Sequence, residues 1–197
     1  SATVEASGSA TVEASGSATV RASGSATVEA SGSATVEASG SATVRASKFV
    51  AVHLWSGRVN ISGGVVIDLT KLDSRNLTDW IDYTGVQITN SIVRDGDHLT
   101  VYKAVDDNYQ AGHFYTVTTY PVGETITCPY WRDDNDCGGG YHLCPSPGHA
   151  LRYYSQATRF LECRVHVDDV RTIGFDKLKA SKVEIVREVD VHGQAVT

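Results

Sequence analysis

Six side chains in the second half of the chain carry what chemistry the sequence offers: Cys128, Cys137, His142, Cys144, His149 and Cys163. His142 and Cys144 stand two residues apart, so on a strand both leave the same face and can reach one ion. Cys137 opens a Gly138–Gly140 loop that can fold back, and Cys163 falls on a neighbouring predicted strand. Cys137, His142, Cys144 and Cys163 are therefore the candidate ligands of a structural Cys3His zinc site, without a C-x-x-C pair to strengthen it. Two other fates of these groups stay open. Cys137 with Cys144, or Cys128 with Cys163, would form disulfides in a chain exposed outside the cell. Alternatively the thiols are simply buried and the histidine hydrogen-bonded. A Cys/His nucleophile would use His142 with Cys144 or Cys137, and amides of the glycine loop as an anion nest, but no acidic orienting partner is fixed by the sequence. The run Asp133-Asp134-Asn135-Asp136 offers oxygens for Ca²⁺, yet it lacks EF-hand spacing and a distal Glu, and reads as a solvated loop.

These residues need a globular scaffold, and the segment 73–197 has the texture of one. Asp73 or Ser74 can cap a short helix over 76–83, which Gly85 ends. Alternating apolar residues predict strands over 86–89, 98–105, 113–119 and 124–128, with Pro121-Val-Gly123 as the turn between the last two. Pro147 can open a short helix over 147–155. Final strands follow over 158–167 and 182–191. An antiparallel sheet with one or two helices is the simplest way to bury these faces.

The run Cys137-Gly-Gly-Gly140-Tyr-His142-Leu-Cys144-Pro-Ser-Pro147, followed by Ala150-Leu-Arg-Tyr153-Tyr and the strand bearing Arg159 to Cys163, resembles an uncharacterised domain common in phages and prophages. Its hallmark is approximately C-x-x-G-aromatic-H-x-C-x-x-P, and the Tyr120-Pro-Val-Gly123 turn fits it too. The resemblance covers residues 97–190. It implies a phage or prophage source and a domain set beside tandem octapeptides, and it brings no activity. Strand 98–105 and the ALRYY helix are also similar to small ADP-ribosyltransferase-like folds, without an evident catalytic Glu motif; there Tyr153 and Tyr154 read as core and rim aromatics.

The first 48 residues are of another kind: six octapeptides, SATVEASG or SATVRASG, the last ending in Lys48. Ala, Val, Ala and Gly hold the even positions and Ser, Thr, Glu or Arg and Ser the odd ones. Eight is even, so the alternation never slips. A helix would drift by about 80° per octapeptide and form no stripe, whereas a strand-like coil keeps the small apolar residues on one face. Gly-Ser at each boundary is the natural corner. Charge order selects the coil length. Three octapeptides per coil would stack Glu on Glu and Arg21 on Arg45, about 4.8 Å apart. Two per coil give the columns Glu5, Arg21, Glu37 and Glu13, Glu29, Arg45, in which ion pairs replace several like-charge contacts. Perfect alternation argues against a disordered Ser/Gly/Ala tether, and a charge on every outward face argues against an ice-binding surface. Residues 49–72 keep the alternation with bulkier side chains and glycine breaks at Gly57, Gly63 and Gly64, which predicts larger terminal coils closing the stack.

The expectation is thus a mainly β chain: an octapeptide-repeat β-solenoid over 1–48 with two repeats per coil, terminal coils over 49–72, and a small α+β domain over 73–197. All Cys, His, Pro and aromatic residues follow Lys48, so the tract is scaffold. The chain has no Met and begins inside a repeat, which predicts a longer native tract. The net charge of −6 is spread out and gives no basic face for nucleic acid, and no stretch is long and apolar enough for a membrane span. The function these features predict is structural: a phage or prophage stalk or self-assembling scaffold, acting in the virion or the host cytoplasm and self-associating through solenoid ends or edges. The competing class is an enzyme or toxin-like domain carried on the scaffold, centred on the Cys/His group or ADP-ribosyltransferase-like.

Overall fold

A computed structural model describes residues 2–87, 94–113 and 116–196. The chain divides into two compact units, Ser1–Leu72 and Asp73–Thr197. It is mainly β, and among the described residues no helix is long and apolar enough to cross a membrane.

The first unit is a parallel β-solenoid of about four turns. Each octapeptide contributes one short strand, from β1 (Thr3–Ala6), β2 (Thr11–Ala14) and β3 (Thr19–Ala22) to β4 (Thr27–Ala30) and β5 (Thr35–Ala38). The register pairs Thr3 with Thr19, Thr19 with Thr35 and Thr11 with Thr27, so one coil takes two octapeptides as the charge order predicts. Two columns of strands enclose a core of valine and alanine in which Val20, Val28, Val36 and Val44 are fully buried. Outside, Arg21 pairs with Glu37 at 3.0 Å and Glu5 at 3.8 Å, and Arg45 pairs with Glu29 at 3.0 Å.

The corners show why the eighth residue is glycine. Gly24 and Gly40 have φ of +65° and +64°, and a Cβ on Gly40 would lie 2.9 Å from the backbone N and O of Gly24, one coil away. The sixth octapeptide has Lys48 there, and the corner opens into the continuous strand β6 (Thr43–Leu54), which belongs to both columns. The last coil is β7 (Asn60–Asp68). Its residues 60–63 pair with 43–46 and its residues 65–68 with 51–54, so Gly64 alone spans a corner that otherwise takes four residues. The bulky terminal residues cover less than the sequence suggests. Phe49 occupies the outward first position of the repeat and is 73% exposed, while Val50 in the inward second position is buried.

The second unit is built on a five-stranded antiparallel sheet in the order β12-β17-β14-β9-β8. Its strands are β8 (Arg94–Asp95), β9 (His98–Val105), β12 (Thr125–Thr127), β14 (Arg159–His166) and β17 (Lys182–Val189). A three-stranded sheet of β13 (Tyr141–Leu143), β15 (Val170–Thr172) and β16 (Leu178–Ala180) joins it through mutual backbone hydrogen bonds of Tyr102 and Cys144, 2.8 and 2.9 Å long. Helices α1 (Leu77–Gln87) and α2 (Pro147–Tyr153) pack Trp80 and Ala150 into two separate apolar clusters.

Local differences from the sequence reading have physical causes. Asn76 caps α1 by accepting from the Thr78 and Asp79 amides, whereas Asp73 closes a turn onto the Arg75 amide. The helix runs through Gly85, which a helix interior tolerates at a cost of about 1 kcal/mol. Of the strand expected over 86–89, two residues end α1 and the rest lie outside the described residues. The strand expected over 113–119 is instead half of a hairpin, with β10 (Gln110–His113) pairing β11 (Thr116–Thr119), and residues 114–115 lie outside the described residues.

Candidate aromatic and lysine cleft

A cleft of about 880 Å³ opens in the second unit. Strand β9 supplies Tyr102 and Lys103, β13 supplies Tyr141 and His142, the Cys137–Gly140 loop forms one wall, and Tyr153 and Tyr154 follow from α2. Tyr120, Tyr130 and Lys177 complete the lining that matters here. Volumes of this size are typical of small-molecule sites.

Lys103 is the unusual residue. Strand alternation sets it on the face of Leu99, Val101 and Val105, all three fully buried in the main core. Its Nζ donates to the His142 carbonyl at 3.0 Å and lies 5.1 Å from the centre of the Tyr120 ring. Burial pulls its pKa below the ordinary lysine value. Tyr120 is itself buried and meets Tyr141 edge to face at 5.8 Å, and burial raises its hydroxyl pKa.

The glycine loop is held from both sides. The Gly138 amide donates to His142 Nε2 at 3.1 Å, which leaves the proton of the neutral ring on Nδ1. Burial, helped by Lys103, Lys177 and Lys179, depresses the His142 pKa to about 4. Lys179, fully buried on β16, donates to the Gly138 carbonyl at 3.0 Å and to Asp134 at 2.5 Å, with the Trp131 ring 5.5 Å away. The acidic run is therefore not a free solvated loop. Asp134 also meets Arg132, Asp133 pairs with Arg171 at 2.7 Å, and Asn135 donates to the Thr172 carbonyl at 2.9 Å. At the rim, Tyr153 donates to Asp176 at 2.5 Å, and Lys177 Nζ lies 4.5 Å from the Tyr153 ring centre and 3.9 Å from Cys137 Sγ.

Cys137, His142 and Cys144 line this cleft, while Cys163 lies on β14 in the core. All four cysteines are free thiols; Cys128, Cys144 and Cys163 are buried and Cys137 is exposed. Burial pushes Cys144 and Cys163 up to about 12, so both are protonated thiols at neutral pH. With His142 Nε2 engaged by Gly138, neither of these two thiols is primed for thiolate attack. Among the described residues, no three His, Cys, Asp or Glu side chains are grouped to hold a metal ion. The ammonium of Lys103 acts on both Cys144 and Cys163, and Lys177 and Arg152 add to it at Cys144. The sequence reading passed over Lys103 and Lys179. The signal for Lys103 was present, because Leu99, Val101, Lys103 and Val105 alternate on one strand face.

No curated protein and no solved structure matches the chain. Residues 99–196, from the second residue of β9 through the cleft and both final strands, match a family described as a domain of unknown function, DUF7666.

Proposed function

We propose that this chain is a structural and interaction protein of phage or prophage origin, in which a self-associating β-solenoid stalk displays the small α+β domain. The carrying observation is the unbroken two-octapeptide register. A tract that folds into one repeated coil, with inert alanine and valine inside and three Glu–Arg ion pairs outside, offers reach and stacking and no chemistry. At the C-terminal end of the tract, β7 pairs with β6 alone among the described strands. Open edges of a parallel stack are templates for another copy. The Cys137 to Pro147 motif and the neighbouring octapeptides support the phage or prophage source.

Light scattering over a concentration series, with micrographs of the same samples, tests the reading. Oligomers or fibres that grow with concentration and vanish when the tract is deleted are expected. A chain that stays monomeric at every concentration overturns self-association.

A further inference from the structure

We propose that the cleft of the α+β unit binds a small molecule carrying both a planar ring and an anionic group, the shared chemistry of nucleoside phosphates and aryl phosphates. This goes beyond the display reading and stands independently of it. The sign of the cleft comes first. The chain is acidic overall, at −6, yet among the described residues the cleft lining holds Lys103, Lys177 and the neutral His142 and no Asp or Glu. Lys103 is a core-facing ammonium whose one hydrogen-bond acceptor among the described residues is the His142 carbonyl, and none of their carboxylates lies in ion-pair range of it. A partly buried cation without a counter-ion is costly, and an anion entering the cleft would supply that missing partner.

The walls then select a ring. Tyr102, Tyr120, Tyr130, Tyr141, Tyr153 and Tyr154 all line the space. Tyr153 and Tyr130 remain 52% and 45% exposed, so ring faces at the rim are open to stacking. The Tyr153 ring is oriented in advance: its hydroxyl is tied to Asp176, and Lys177 sits close to the ring. A ligand ring against Tyr153 thus places its anionic substituent within reach of Lys177 at the rim or Lys103 inside. Rigid aromatics beside pre-placed cations lower the ordering cost of binding.

Saturation-transfer NMR on the full chain tests the assignment. ADP and phenyl phosphate are the anionic ring-bearing probes, and adenosine and inorganic phosphate each carry half of the chemistry. At least one of the first pair should bind roughly tenfold more tightly than either of the second. Stronger binding of ADP would indicate a nucleotide source, and stronger binding of phenyl phosphate a simple aryl one. Lys103→Met also alters a core position, so the rim carries the decision: Lys177→Ala and Tyr153→Ala, both folded by far-UV circular dichroism, should each weaken binding about fivefold to tenfold. Failure of both ring-bearing anions to bind at 1 mM probe overturns the proposal. So does equal binding of adenosine, or binding that is unchanged in both rim variants.

Discussion

Reversing one charge in the repeat tract distinguishes coil registers by the sign of its effect. Arg21 lies between Glu5 at 3.8 Å and Glu37 at 3.0 Å, and the three side chains are 40%, 79% and 21% exposed. Arg21→Glu removes two ion pairs and creates two like-charge contacts in a column whose rungs are about 4.8 Å apart. Partly exposed pairs of this kind are worth about 0.2 to 1 kcal/mol each, and directly opposed like charges cost a similar amount. The sum is a destabilisation of roughly 1 to 4 kcal/mol, carried mainly by the more buried Glu37 side. Arg45→Glu changes one pair only, with Glu29, in which both side chains are more than half exposed, so its effect should be about half as large. Both effects should shrink in 1 M NaCl, where the Debye length is about 3 Å. Hydrogen exchange of peptides from residues 11–46, in low and high salt, reads the local opening free energy without assuming that the two units unfold together. In a coil of three octapeptides Arg21 would face Arg45, and Arg21→Glu would stabilise the stack. A stabilising or neutral outcome at low salt therefore refutes the register reasoning.

Four further outcomes follow from the same geometry. Gly8→Ala, where φ is +61° and the added Cβ meets nothing within 4 Å, should cost about 1 kcal/mol of backbone strain. Gly40→Ala should cost clearly more, because its Cβ would meet the Gly24 backbone at 2.9 Å; equal melting temperatures would contradict the stacked corners. His142 has a folded pKa near 4, below its unfolded value of about 6.5, so the unfolded chain binds the proton first. Its contribution is fully present above pH 6.5 or so and is lost as the pH falls toward about 4. His142→Gln, which keeps an acceptor for the Gly138 amide, should flatten that part of the denaturation profile, and an unchanged slope counts against the buried neutral ring. Under native conditions a thiol reagent should modify Cys137 alone, with the other three cysteines reacting on unfolding. Chelator should leave the melting temperature unchanged; release of one zinc per chain with a fall in melting temperature would show that Cys137, His142, Cys144 and Cys163 gather after all.

The legible part of this chain is the part with a period. Strict alternation and an even repeat length point to a coil because each acts on every repeat alike, and the order of four glutamates and two arginines favours two octapeptides per turn. Long strands such as β9 and β14 were legible for the same reason. The three-stranded sheet was harder, since β13, β15 and β16 have three residues each and a period needs more. The hairpin of β10 and β11 was missed because pairing between two short segments leaves no mark in either one. Within the site, cysteine and histidine drew attention by type, while what distinguishes the cleft is placement. Lys103 stands at a core position of β9, and Lys179 is buried behind the loop that carries Cys137. Tertiary burial, which creates both features, is only faintly encoded in local sequence.

The register of the repeat tract is tested most directly by the distance between two spin labels. With Cys137 replaced by serine, nitroxides are placed by cysteine substitution at Glu13 and Glu29 in one variant, and at Glu5 and Glu29 in another. Glu13 and Glu29 are register partners in neighbouring strands, whereas Glu5 and Glu29 belong to different columns. The account predicts strong spin–spin broadening for positions 13 and 29, at backbone spacing of about 5 Å, and weaker broadening for 5 and 29. The reverse order would establish three octapeptides per coil, and narrow lines in both variants would mean that no solenoid forms; either contradicts the account.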